Sequence, residues 1–169
     1  MTENQLRYPT ILFDWGDTVM RDYPEIATPM VEWETVEMID GIADVLGYLH
    51  SGGRRIILAT SASISDENQI RGALARCRLD QYFSGIYCFK NTGLIKGEAF
   101  YRHMLNDLNI PASDAWMVGD SFEKDVQAAN AVGIFAVWFN ARSDETRKGE
   151  LHVTVHSMSE LAGFFKSID

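Results

Sequence analysis

At 169 residues the chain has room for one hydrophobic core and is cramped for two, so residues 1–169 are read as a single domain. Apolar residues make up 46% and charged residues 23%, the proportions of a globular protein and not of a disordered one. Fifteen Lys and Arg against 24 Asp and Glu leave a net charge of −9; this argues against a general nucleic-acid binder, because affinity for a phosphate backbone comes from basic side chains, but it leaves room for a phosphorylated ligand held by local charge or a metal ion.

In chain order, Tyr8–Phe13 reads as a buried strand. Residues 20–38 are the least legible stretch. Pro24 and Pro29 argue for a loop, Val31-Glu32-Trp33-Glu34 alternates like a strand, and Met30, Trp33 and Val36 would suit a helix; the prediction is a loop with its local structure left open. Gly41–His50 has helical spacing and stops at Ser51-Gly52-Gly53. Arg55–Ala59 is a second buried strand, and Ser65–Arg78 a helix with Ile70, Leu74 and Cys77 on one face. Ile86–Phe89 reads as a third strand and Ala99–Leu108 as a helix ending before Pro111. Ala115–Val118 is a fourth strand, Phe122–Ala131 a helix closed by Gly133, and Ile134–Phe139 a fifth strand. Val153–Val155 makes a short sixth strand and Ser159–Lys166 a last helix.

Alternating strands and helices predict an α/β fold, a single doubly wound, Rossmann-like parallel sheet flanked by helices. Such sheets bind ligands at the carboxyl ends of their strands. The first strand ends in Asp14, the second in Thr60 and Ser61, and the fourth in Asp120, so a parallel sheet gathers all of them on one edge. No apolar run approaches the ~18 residues of a membrane span, and MTENQLRYPT lacks the apolar core of a signal peptide. Cys77 and Cys88 make neither a disulfide framework nor a zinc cluster. The expectation is a cytoplasmic protein with no membrane partner and both cysteines in the core.

Four motifs come in order: Phe13-Asp14-Trp15-Gly16-Asp17-Thr18 after the first strand, Thr60-Ser61 after the second, Lys96 in Leu94-Ile95-Lys96-Gly97, and Gly119-Asp120-Ser121-Phe122-Glu123-Lys124-Asp125 after the fourth. Together they resemble the haloacid dehalogenase superfamily over residues 8 to 165. The resemblance implies a Mg²⁺-dependent phosphomonoesterase in which Asp14 is the nucleophile and forms a phosphoaspartate. Asp14, Asp120 and the Gly16 carbonyl would ligate Mg²⁺, and Asp125 would hold Lys96 or a metal-bound water. Thr60, Ser61 and Lys96 would bind the phosphate, Lys96 neutralising charge on the transferred group. Trp15, beside the nucleophile, belongs to the core or to the substrate mouth.

One departure concerns the acid/base. The family's phosphatases read Asp-x-Asp-Gly-Thr, whereas this chain has Asp14-Trp15-Gly16-Asp17-Thr18. The second Asp protonates the leaving group and activates water, and Gly16 can do neither. Asp17 is the nearby substitute; a turn or capping role suits it better than catalysis. The rivals are dehalogenase chemistry, which also lacks that Asp, and a phosphate- or protein-binding module without turnover.

Asp14 and Thr60 stand 46 residues apart, and Thr60 and Lys96 36 apart. Neither gap holds a cap domain of roughly 50 residues beside its own helix and strand. The site is therefore expected to be open, accepting a phosphorylated small molecule or an exposed phosphate on a larger substrate, or to be covered by another copy in a homo-oligomer. His152 and His156 are read as structural, Arg71, Arg76 and Arg78 as a solvated helix face, and Trp33, Trp116 and Trp138 as core.

Overall fold

The computed structural model describes residues 8–169; the N-terminal residues on which the reading of a missing signal peptide rests lie largely outside this range. Six strands form one parallel sheet: β1 (Thr10–Phe13), β2 (Arg55–Ala59), β3 (Phe83–Tyr87), β4 (Ala115–Gly119), β5 (Phe135–Phe139) and β6 (His152–Val155). Their order is β3-β2-β1-β4-β5-β6. The chain builds outward from β1 in one direction and then returns to place β4 on its other side, so a topological switch point opens between β1 and β4. Phe13 pairs with Leu58 of β2 and Val118 of β4, which brings Asp14, Thr60 and Asp120 to a common edge. The doubly wound sheet is as predicted.

Side-chain alternation along β1 feeds two cores. Ile11 and Phe13 face a cluster with α1 (Ile42–Ser51), α2 (Glu67–Arg76) and α6 (Met158–Ile168); Leu12 faces the other cluster, with α4 (Glu98–Leu108) and α5 (Ala128–Ala131). A short helix, α3 (Phe89–Thr92), precedes α4. At the start of α2 the Asp66 carboxylate accepts from Gln69 N at 2.8 Å and the Gln69 side chain accepts from Asp66 N at 2.9 Å, a reciprocal cap that starts the helix two residues after the predicted Ser65; at the other end Cys77 caps it, one residue before the predicted Arg78. Trp116 packs 4.0 Å from Tyr8 and 4.4 Å from Phe135, ring centre to ring centre, and all four tryptophans are buried, as expected for core residues.

The third strand is misplaced in the sequence reading. It spans Phe83–Tyr87, and Phe89 opens a helical turn. The pairing with β2 shifts between Ile56 and Ile57, which leaves Ser84 as an extra residue whose hydroxyl donates to the Ile56 carbonyl at 3.3 Å. Such a bulge breaks the period-two pattern that would have revealed the strand. The stretch before α5 also departs from regular helix: Phe122–Gln127 is a π-helical turn.

No folded cap stands between the motifs among the described residues. Residues 20–38 form the expected loop, with one 3₁₀ turn at Met30–Glu32, and Met30 and Trp33 are buried beneath it. Arg76, expected on a solvated face, is a strut for this loop: its guanidinium donates to the carbonyls of Val31 (3.2 Å), Trp33 (2.5 Å) and Glu34 (3.0 Å). Arg71 likewise donates to Phe83 O at 3.1 Å. His152 and His156 are bonded to different partners, Asn130 for one and Thr146 and the Asn140 carbonyl for the other. Both cysteines are free, Cys88 buried and Cys77 half-buried. Among the described residues no helix is long and apolar enough to cross a membrane.

The last helix is tied to the start of β2 by Arg54, buried at the sheet's lower edge, whose guanidinium pairs with the Asp169 carboxylate; Tyr48 Oη donates to the same carboxylate at 2.6 Å. The Arg54 hydrogen bond is the main cause that holds the Asp169 carboxyl below its ordinary value of 3.8. Asp169→Ala is expected to strand the guanidinium and to cost about 1–3 kcal/mol in denaturant unfolding at neutral pH. A group whose folded pKa is depressed contributes its stability above the unfolded value and loses it as pH falls through the folded one. The difference between wild type and Asp169→Ala should therefore be full at neutral pH and close in strong acid.

Candidate active site

A tight turn follows β1. The Trp15 carbonyl accepts from the amides of Thr18, Val19 and Met20 (3.4, 2.9 and 3.0 Å), and Asp17 at its apex has φ 58°. Asp is among the few non-glycine residues that enter this left-handed region readily. The turn returns Thr18 under the strand end, where its hydroxyl donates to Asp14 Oδ2 at 3.1 Å. The Asp14 amide donates to Val118 O at 2.9 Å, which fixes the strand end against β4.

Lys96 reaches the same point from the loop before α4. Its Nζ donates to Asp14 Oδ1 and, at 2.6 Å, to Asp125 Oδ1. Lys96 and Asp14 are 8% exposed and Asp125 is fully buried. The second oxygen of Asp125 accepts from the Ser121 amide at 2.9 Å, a bond supplied by the π-helical turn after β4. Ser61 holds the lysine's own backbone, accepting from Lys96 N at 2.8 Å, and Thr60 Oγ1 accepts from Ala62 N at 3.0 Å. Asp14, Asp120 and Asp125 each present an oxygen within 4.8 Å of the others, a donor set of hard oxygens suited to a divalent cation.

The charges are unbalanced. Burial alone would lower the Lys96 pKa, but the carboxylates of Asp125 and Asp14 outweigh it and hold the ammonium above its ordinary range. Burial pushes the Asp120 carboxyl up, and its hydrogen bond to Asp14 and the charges of Asp14 and Asp125 push it further; Arg142 opposes this weakly. Asp125 is also raised, by burial and then by Asp14, against the pull of Lys96. Three carboxyl groups thus crowd one ammonium, and their mutual repulsion adds to burial in raising Asp120 and Asp125.

All the residues expected at the site line one open cleft of about 290 Å³: Asp14, Trp15, Gly16, Asp17, Thr60, Ser61, Lys96, Asp120 and Asp125. Asp17 stands at its rim with both oxygens engaged, Oδ1 accepting from the Asp22 amide at 3.1 Å and Oδ2 paired with Arg142 at 2.8 Å. Arg142, from the loop after β5, also lies 3.5 Å from Asp120 Oδ2. Arg142, Asp22, Ser121, Lys124 and the inward role of Thr18 were not found by sequence reasoning. Asp22 lines the cleft, with its carboxyl raised by burial and then by Asp17. Only Thr18 carried a local signal, as the hydroxyl four residues after Asp14.

Residues 11–139 match the family of haloacid dehalogenase-like hydrolases. The chain belongs to this family and is a hydrolase of that class. Its fold is similar to an uncharacterized protein from Listeria monocytogenes serotype 4b (TM-score 0.80, 22% identity, 94% of this chain and 97% of that one). It is also similar to a magnesium-bound HAD-hydrolase from Bacillus subtilis (TM-score 0.73, 15% identity, 95% and 100%) and to a 2-haloacid dehalogenase from Pseudomonas syringae (TM-score 0.71, 16% identity, 95% and 99%). A search of curated proteins returns no match.

Gly119, at the end of β4, makes room for the ion pair: a Cβ there would stand 2.5 Å from Asp125 Cβ. Gly119→Ala is expected to push Asp125 off Lys96 and destabilise the fold by about 1–3 kcal/mol, as overpacking does. Thermal unfolding should show it as a fall of roughly 2–12 °C in Tm. Gly163→Ala, on α6 with open space around it, should leave Tm level or raise it slightly.

Proposed function

We propose that this hydrolase is a Mg²⁺-dependent phosphomonoesterase acting through a phosphoaspartate on Asp14. The observation that carries this reading is the excess of carboxylate over ammonium at the strand ends, three acids within 4.8 Å of one another around Lys96. A phosphate ester is itself an anion, so it approaches Asp14 only when a further cation neutralises the site. Asp14, Asp120 and the Gly16 carbonyl are the groups that would hold Mg²⁺, with Asp125 behind them. The ion, when bound, would screen nucleophile from phosphate and polarise the phosphoryl oxygens.

The chain's own residues do the rest. Asp14 attacks phosphorus and the ester oxygen departs; water then attacks the phosphoaspartate and releases inorganic phosphate. Thr18 orients the attacking carboxylate from behind through its bond to Oδ2. Lys96, kept charged by its two carboxylates, stabilises the negative charge gathered on the phosphoryl oxygens. Ser61 fixes the Lys96 backbone, and the Thr60 and Ser61 segment presents polar groups to the same phosphate. With no cap among the described residues, the reading extends to phosphorylated small molecules and to phosphates exposed on larger partners, with a second copy of the chain as an alternative cover.

Dehalogenase chemistry is the rival that the fold neighbours keep in view. A panel of phosphate esters, with Mg²⁺ or with EDTA, separates the two. Phosphate release should require Mg²⁺ and vanish in Asp14→Asn, whereas chloride release from 2-chloropropionate with EDTA present would establish the rival. Binding has its own readout. At 100 times Kd, Mg²⁺ should stabilise the protein by about 2.7 kcal/mol, seen as roughly 5–11 °C in Tm, and Asp120→Asn should remove most of that shift. A Tm indifferent to Mg²⁺ would refute the cofactor assignment.

A further inference from the structure

Gly16 stands where the family's phosphatases carry their acid/base Asp. Its backbone does not require glycine, for it is not among the residues with positive φ. What occupies the space is Asp22: a Cβ built on Gly16 would lie 3.2 Å from Asp22 Cβ and 3.2 Å from Asp22 Oδ2. The Asp22 carboxylate thus already lies within the reach that a carboxylate on residue 16 would have.

Its backbone is secured there, because the Asp22 amide donates to Asp17 Oδ1 at 3.1 Å and Asp17 is itself held by Arg142. Gly16 and Met20 also form a bridge that closes the intervening turn. A second observation concerns the leaving group. The cleft continues into a groove of about 260 Å³ with an apolar wall of Trp15, Pro24, Ile26, Trp33 and Ile64, and Asp22 lines both spaces. Asp22 therefore stands between the phosphate site and the groove in which the organic part of an ester would lie.

We propose that Asp22 is the general acid/base of this enzyme, replacing from the loop the carboxylate that Gly16 lacks, for esters whose leaving group is apolar and seats against Trp15 and Ile64. This deepens the phosphomonoesterase reading and rests on it. In the first step an Asp14 oxygen bonds to phosphorus as the ester P–O bond breaks, and the leaving oxygen takes the proton of the Asp22 carboxyl, departing as a neutral alcohol or phenol. In the second, water attacks phosphorus, Asp22 takes its proton, and the Asp14–phosphorus bond breaks to give inorganic phosphate and both side chains in their starting forms.

Rapid-mixing kinetics with Mg²⁺ test this with two probes. p-Nitrophenolate leaves without protonation, so Asp22→Asn should keep a burst of one p-nitrophenolate per enzyme from p-nitrophenyl phosphate. Its steady-state turnover should fall by about 10²–10⁴-fold as phosphoaspartate accumulates. With phenyl phosphate, a poorer leaving group, the burst itself should be lost. The double variant Gly16→Asp with Asp22→Gly puts the carboxylate back on residue 16 and clears the space it needs, so it should regain turnover. Asp22→Asn with wild-type kinetics on both probes, or with burst and turnover slowed equally on p-nitrophenyl phosphate, would overturn the acid/base role and leave the phosphatase reading standing. A wild-type protein that forms no phosphoaspartate from either probe would overturn the phosphatase reading, and this inference with it.

Discussion

Lys96 holds the site together by being buried between two acids it cannot release. Its ammonium bridges Asp14, at the end of β1, and Asp125, in the π-helical turn after β4, so one side chain from the loop before α4 ties three distant segments to one point. Burying such charges costs several kcal/mol per ion, and attraction repays this only when the remaining lone pairs are satisfied. Here they are: Thr18 occupies the second oxygen of Asp14 and the Ser121 amide that of Asp125. The inner oxygens of the pair are thus satisfied by the protein itself, while three carboxyl groups still crowd one ammonium.

Around that centre the loops are held by long-range side chains and little by their own propensity. The stretch between β1 and α1 has one short 3₁₀ turn and is closed at its base by backbone bonds, Arg21 N donating to Glu37 O and Ile39 N to Val19 O, both at 2.9 Å. Arg76, on α2, fastens it at three carbonyls, and Arg142, beyond β5, fastens the turn apex at Asp17. A guanidinium presents several donors in a fixed plane, so one arginine can satisfy a run of loop carbonyls that no helix or sheet satisfies. The same fastening brings Asp22 over Gly16. The braced loop also forms one wall of the apolar groove beside the cleft, with Met30 and Trp33 buried beneath it.

Much of this was legible in one dimension. Four of the strands are short apolar runs with close to their predicted bounds, and helices announce themselves by apolar residues every third or fourth position. Strand-end residues Asp14, Thr60, Ser61 and Asp120 could be assigned to one edge because parallel strands share a direction, whatever their order. Lys96 and Asp125 entered through the order of the motifs, a resemblance and not a pattern of burial.

Tertiary structure decided what depends on separation across the chain. Periodicity reports how often a residue faces the core and carries no information about which segment it meets there. The bulge at Ser84 erased the signal of β3 because one extra residue inverts the alternation. Arg76 looked like a solvated charge because its partners are carbonyls about 40 residues away, which are invisible in composition. Asp17 and Asp22 are close neighbours in sequence, yet their contacts send one to Arg142 at the rim and the other across Gly16 into the cleft. The sequence by itself determined the sheet, its functional edge and the absence of a carboxylate at position 16; the fold alone decided which carboxylate stands beside that gap, because only the closed turn and its distant arginine brace bring Asp22 there.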